Sequence, residues 1–118
     1  MFVWRIDIQY TYGLSITEST LNNNTASEGG TIYNDSGKLT ITESTLTGNT
    51  SQGDSLHGYG GAIKNNDGEL MITESTLNNN TASGSGGAIY LDNRPRKYVS
   101  ENCTFKDNEP DDVYEEKD

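Results

Sequence analysis

The twelve residues Ile16–Ser27, ITESTLNNNTAS, recur unchanged at Ile72–Ser83, and a near copy, ITESTLTGNTS, lies between them at Ile41–Ser51. A short repeat of this kind has no hydrophobic face large enough to bury alone, so it folds only by stacking on its neighbours. The repeat extends beyond the shared block. Each copy is preceded by an apolar-x-Ile triplet: Leu14-Ser15-Ile16, Leu39-Thr40-Ile41 and Leu70-Met71-Ile72. Each is followed by a double glycine and a short apolar run: GGTIY at Gly29–Tyr33, GGAIK at Gly60–Lys64 and GGAIY at Gly86–Tyr90. A fourth, degenerate copy reads CTFKDN at Cys103–Asn108.

The spacing selects among repeat architectures. Leu21, Leu46, Leu77 and Phe105 occupy equivalent positions, 25 to 31 residues apart. Helical-pair repeats need apolar residues at a period of 3.6, and Asn, Thr, Ser and Gly are poor helix formers. Short period-2 strands separated by Gly, Asn and Asp turns fit instead. Three strands and three turns consume about 25 residues, one coil of a β-helix. The predicted fold is all-β: a right-handed, single-stranded parallel β-helix of about four rungs.

Comparing the copies assigns the faces. The outer triplet positions stay Leu and Ile while Ser15, Thr40 and Met71 vary between them, so the outer pair points inward. Ile32, Ile63 and Ile89 are fixed, whereas the next position is Tyr33, Lys64 or Tyr90; a lysine is rarely buried unpaired, so that column faces out. Leu21, Leu46, Leu77 and Phe105 supply a further inward column. Asn24, Asn49, Asn80 and Asn108 follow three residues later and are predicted to form a stacked asparagine ladder in a turn, where Asn accepts left-handed backbone angles. The double glycines mark a tight bend where a Cβ would clash.

These residues resemble a known family. GGAI at Gly60–Ile63 and Gly86–Ile89, with GGTI at Gly29–Ile32, alternate with FxxN at Phe105–Asn108 and its leucine variants Leu21–Asn24, Leu46–Asn49 and Leu77–Asn80. The combination is similar to the repeats of the polymorphic outer-membrane proteins of chlamydiae, over roughly residues 13–108. The resemblance implies a β-helix passenger, display at the cell surface or outside the cell, and adhesion. No signal peptide and no outer-membrane barrel are recognised in the chain, which is therefore expected to be a fragment of a larger protein or a reduced relative, and extracellular if that larger protein is secreted.

Composition sets further bounds. Hydrophobic residues make up 31% of the 118, with a mean hydropathy of −0.77. Such a chain escapes disorder only if its few apolar residues fall in register. Eight Lys and Arg face eighteen Asp and Glu, a net charge of −10, which argues against nucleic acid as a partner. No apolar stretch is long enough to span a membrane as a helix. Residues 1–12 alternate Phe2, Trp4, Ile6, Ile8, Tyr10 and Tyr12 against Val3, Arg5, Asp7, Gln9 and Thr11, and are assigned as an N-terminal strand or cap. Residues 13–108 form the repeats, and residues 109–118 read as a disordered acidic tail. An end strand left uncovered offers end-to-end self-association.

Candidate sites are few. The second rung is longer than the others, and the surplus around Gln52–Tyr59 must leave the coil as a loop; its Asp54, His57 and Tyr59 are the candidate binding residues. Glu18, Glu43 and Glu74 form an aligned ladder that either splays into water or is bridged by a cation such as Ca²⁺; no other cofactor is expected. A single histidine and a single cysteine, Cys103, make zinc and nucleophilic chemistry poor fits. Cys103 stands where other copies have Ser19, Ser44 and Ser75. The basic run Arg94-Pro95-Arg96-Lys97 reads as a solvated loop. Thr20, Thr45, Thr76 and Thr104 form an outward threonine column whose unequal rungs do not suit an ice lattice. Asn-x-Ser/Thr sequons begin at Asn23, Asn34, Asn49, Asn79 and Asn102.

The expected function is a non-catalytic, adhesin-like surface module that binds a cell-surface protein or glycan on a host cell. A carbohydrate-active β-helix enzyme, or its inactive remnant, is the alternative from another class; it requires unlike carboxylates from non-equivalent positions, whereas the aligned acids here are repeat equivalents. A structural spacer with no site is the third.

Overall fold

The computed structural model describes residues 6–9, 13–26, 31–53, 58–92 and 97–116. Every element among them is a β-strand, and every strand pairing is parallel. The chain winds as a β-solenoid whose sides are four sheets. One sheet holds the isoleucine strands Ile6–Gln9, Ile32–Asp35, Ile63–Asn66, Ile89–Leu91 and Val113–Glu115. The second holds the triplet strands Gly13–Thr17, Lys38–Thr42, Glu69–Thr73 and Lys97–Glu101. The third holds Thr20–Asn22, Thr45–Thr47, Thr76–Asn78 and Thr104–Lys106.

The fourth side differs from the three-strand coil predicted. Thr25–Ala26, Thr50–Ser51 and Thr81–Ala82 form a sheet of their own, with two residues per strand. Its inward column is Ala26, Ser51 and Ala82, all buried. Side chains this small carry no hydrophobic signal in sequence, yet they let the wall approach the core closely.

Register follows the repeat. Leu14, Leu39 and Leu70 align, as do Ile16, Ile41 and Ile72; Leu21, Leu46, Leu77 and Phe105; and Ile32, Ile63 and Ile89. Leu39, Ile41, Leu46, Ile63, Leu70, Ile72, Leu77 and Ile89 are completely buried and form one core. At the ends of the stack Leu14, Leu21 and Phe105 are only half-buried, because one side of each lacks a following rung among the described residues.

The corners are held by polar ladders. The Oδ1 of Asn49 accepts the backbone N–H of Asn24 at 3.1 Å and its amide at 3.2 Å. Asn80 accepts the same pair from Asn49 at 2.9 and 3.0 Å, and Asn108 the same pair from Asn80, again at 2.9 and 3.0 Å. In return Asn49, Asn80 and Asn108 donate to the carbonyls of Leu21, Leu46 and Leu77 at 3.0, 3.0 and 2.8 Å. Each asparagine thus satisfies turn groups that would otherwise be buried without partners. The left-handed angle of this corner is not taken by the ladder residue, as predicted, but by its predecessor: Asn23, Gly48, Asn79 and Asp107 have φ of 56, 68, 57 and 56°. A serine ladder runs at the neighbouring corner, where Ser19 and Ser44 donate N–H groups to the Oγ of Ser44 and Ser75, each at 3.1 Å.

Residues 109–116 are not a disordered tail. Val113–Glu115 continues the isoleucine sheet, paired with Ile89–Leu91. The acidic composition that suggested disorder is used locally. Asp111 Oδ1 accepts the N–H groups of Gly86 and Gly87 at 2.7 and 3.2 Å, Asp112 Oδ1 accepts from the Asn108 amide at 3.0 Å, and Val113 packs on the core. Ile6–Gln9, assigned from sequence to an N-terminal strand, pairs with Ile32–Asp35 in the same sheet; Phe2 and Trp4 lie outside the described residues.

Two substitutions test this packing. Leu77→Ala, at a position with no exposed surface, is expected to cost roughly 2–5 kcal/mol of stability in chemical denaturation. Asn80→Ala removes a donor from the Leu46 carbonyl and orphans two donors of Asn49, and is expected to cost about 2 kcal/mol or more. Asn24→Ala, which removes one amide donor and strands no backbone group among the described residues, is expected to cost under about 1 kcal/mol by the same measurement.

Candidate functional site

Alternation along the isoleucine strands throws two columns outward. The first is Tyr33, Lys64, Tyr90 and Tyr114. The second, two residues on, begins Asp35 and Asn66. Asp92 and Glu116 continue it in step, their N–H groups bonding to Asn65 O at 2.8 Å and Leu91 O at 2.9 Å. From Tyr33 and Asp35 onward the face is therefore a row of rings and one ammonium beside a row of carboxylates and one amide.

The long loop of the second rung returns to this face. Ser83 Oγ donates to the Gly53 carbonyl at 2.5 Å, and Gly84 N–H donates to Gly58 O at 2.6 Å. Tyr59 then lies over Gly84, where a Cβ would come within 2.8 Å of its ring, so the position admits only glycine without displacement. The Tyr59 ring stacks on Tyr90 at 4.5 Å and 21°, and Tyr114 stacks on Tyr90 at 5.5 Å and 13°. Tyr90 is sandwiched and only 4% exposed, whereas Tyr114 at the end of the stack is 40% exposed. Lys64 interrupts the column of rings, and its Nζ sits 5.4 Å from the Tyr33 centroid, 5.6 Å from that of Tyr59 and 6.0 Å from that of Tyr90, all within cation–π range.

Of the three predicted loop residues, Tyr59 joins this face; Asp54 and His57 lie outside the described residues, as do Arg94 and Arg96 of the basic run. The tyrosine stack escaped sequence reasoning beyond its outward orientation. The signal available was the aromatic type shared by Tyr33, Tyr90 and Tyr114 at one repeat position; the placement of Tyr59 among them depends on the path of the loop.

Glu18, Glu43 and Glu74 stand exposed at a corner where their own backbones take φ of 48 to 49°. Asn102, at the fourth copy, takes φ 55°. Among the described residues no group of three or more His, Cys, Asp and Glu is placed to hold a metal ion. Cys103 continues the serine column, with Sγ 3.5 Å from the Ile72 carbonyl and 3.4 Å from that of Glu101. A second inward asparagine pair, absent from the sequence expectations, lies beneath the tyrosine face. The Asn34 amide donates to Asn65 Oδ1 at 2.6 Å and to the Gly37 carbonyl at 3.2 Å, and both asparagines are fully buried. Of the sequons, those at Asn34 and Asn49 are buried, and those at Asn23, Asn79 and Asn102 are exposed.

The surroundings of Tyr90 favour its neutral phenol. Burial pushes the Tyr90 hydroxyl well above its ordinary range; its hydrogen bond to Glu116 and the charges of Glu116 and Asp92 push the same way. Burial also raises Tyr98, a residue of the triplet sheet, against a hydrogen bond to Ser100 that lowers it.

A raised folded-state pKa means that the unfolded chain loses these protons first, so stability holds below pH 10.0, the ordinary phenol value, and falls above it. The denaturation midpoint is expected to drop between about pH 10 and 12, and less steeply in Tyr90→Phe, in a denaturant titration across that window.

The model of the Chlamydia polymorphic membrane protein repeat matches residues 18–35 and 74–92. Both segments run from the glutamate corner through the Leu-x-x-Asn turn and the double glycine to the outward columns of the isoleucine sheet. The intervening copy, with its lengthened loop, lies outside the matched residues. No curated protein and no solved structure matches the chain. The two copies at 18–35 and 74–92, equivalent turns of the β-solenoid, are thus similar to the Chlamydia polymorphic membrane protein repeat.

Proposed function

We propose that the chain is a surface-displayed, adhesin-like binding module, and that the tyrosine face is where it binds. The observation that carries this reading is the row Tyr33, Lys64, Tyr90 and Tyr114 with Tyr59 laid onto it by the lengthened loop of the second rung. Stacked tyrosines on an outer wall contribute little to a core already closed beneath them by Ile32, Ile63 and Ile89. Rigid aromatic side chains with polar tips are the groups enriched at the centres of protein interfaces, since they give large contact area at low entropic cost. The solenoid wall supplies the preorganisation.

The family of the two matched copies supports surface display and adhesion over catalysis. The chemistry of the acids supports it too. Glu18, Glu43 and Glu74 are one repeat position used three times, whereas glycoside cleavage calls for two carboxylates in unlike surroundings. A spacer role has no use for the loop that brings Tyr59 to the face.

Labelled chain is expected to bind cultured epithelial cells saturably. Tyr114→Ala, which alters the most exposed ring of the face, is expected to weaken that binding about tenfold or more, as read by flow cytometry, while lowering the unfolding free energy by only about 1 kcal/mol, the scale of the lost ring pair with Tyr90. Equal cell binding by both chains would remove the tyrosine face as the site.

A further inference from the structure

Resting on that reading, we infer that the partner presents a basic protein surface, and that a lysine or arginine of it stacks on Tyr114 beside Glu116. The face itself already displays the interaction. Its one ammonium among the described residues, that of Lys64, is held over the rings of Tyr33, Tyr59 and Tyr90 rather than projected away from them. The next position of the same column in the C-terminal direction is occupied by Tyr90 and then Tyr114, and Tyr114 retains 40% of its surface. A cation delivered by a partner meets at Tyr114 the same π-face chemistry that Lys64 meets further along the wall.

The carboxylates fix the sign of the partner. Asp35, Asp92 and Glu116 lie in the column beside the tyrosines, on the same outward side of the sheet. Glu116 accepts the Tyr90 hydroxyl, which holds the carboxylate against the ring stack two residues from Tyr114. Asp92 and Glu116 sit on adjacent rungs, about 4.8 Å apart at the backbone. Aromatic rings alternating with carboxylates discriminate for cationic groups in both of their terms, cation–π and ion pairing. The chain as a whole carries −10, so its long-range field also steers basic surfaces inward and holds acidic glycans off. A neutral glycan would make hydrogen bonds to the same carboxylates, but it gains nothing from their charge, and Tyr114 is the one ring of the stack left broadly open, too little for a run of sugar rings.

The test measures binding of three probes to the intact chain by fluorescence anisotropy: a decalysine peptide, heparin and maltoheptaose. Decalysine is expected to bind, with affinity falling as salt rises, and heparin and maltoheptaose are expected not to. Tyr114→Ala combined with Glu116→Gln is expected to weaken decalysine binding about tenfold. Glu18→Gln combined with Glu43→Gln, which removes more charge from an exposed corner elsewhere, is expected to weaken it less than about twofold. Tyr114→Phe keeps the ring and is expected to bind as the parent does, which separates loss of the ring from loss of the fold. Equal losses from the face pair and the corner pair would overturn the inference, as would binding of heparin or maltoheptaose at this face. The outcomes are separable from those of the cell assay. Cell binding that survives Tyr114→Ala removes the face altogether; cell binding lost with Tyr114→Ala, but decalysine affinity indifferent to it, removes only the basic partner.

Discussion

The structure depends on in-register stacking of equivalent residues from one rung to the next. A single rung has only a handful of inward apolar side chains and cannot close a core. Stacked rungs turn Leu39 and Leu70, Ile41 and Ile72, and Leu46 and Leu77 into continuous dry columns with no exposed surface. A shift of register by one residue would send every one of these side chains to the opposite face. This explains how a chain with so little hydrophobic content folds at all: its leucines and isoleucines are few, but in the stacked rungs most of them fall on the same inward columns.

Register is enforced at the corners by hydrogen bonds with direction. The asparagine ladder accepts from the rung on one side and donates to a leucine carbonyl of the same rung, so that an asparagine displaced by one position would leave backbone groups buried and unpaired. The serine ladder repeats the principle one corner earlier. Between these two, the left-handed residues at Glu43, Gly48 and Glu74 let the chain turn tightly enough for both ladders to form. The glutamates of the repeat thus hold an unusual backbone position as well as a surface charge.

The outer wall is less uniform than the core, and its differences are concentrated where the isoleucine strands meet the long loop. Copies that agree inside as Ile32, Ile63 and Ile89 diverge outside as Tyr33, Lys64 and Tyr90. Variation on a fixed scaffold is the arrangement in which binding surfaces change without cost to the fold. The last rung changes inside as well. Ser100 stands in register with Ile72, so the isoleucine column of the triplet sheet becomes polar at the end of the described stack, while Phe105 and Val113 keep their columns apolar.

By itself the sequence determined the repeat, its parallel stacking, the inward Leu and Ile columns, the placement of Asn24, Asn49, Asn80 and Asn108 in one turn, and the outward direction of Tyr33, Lys64 and Tyr90. All of these follow from identity between copies, because an equivalent residue in a stacked repeat has an equivalent neighbour. Tertiary structure decided what the copies do not share. The fourth sheet rests on Ala26, Ser51 and Ala82, too small to announce a strand. The final strand Val113–Glu115 rests on pairing with Ile89–Leu91, which rescues a segment whose composition alone reads as unfolded. Tyr59 reaches the ring stack only because its loop closes over Gly84. Position along the chain gives no hint of such a meeting, since the contact is made across rungs and set by the path of a loop that no other copy possesses.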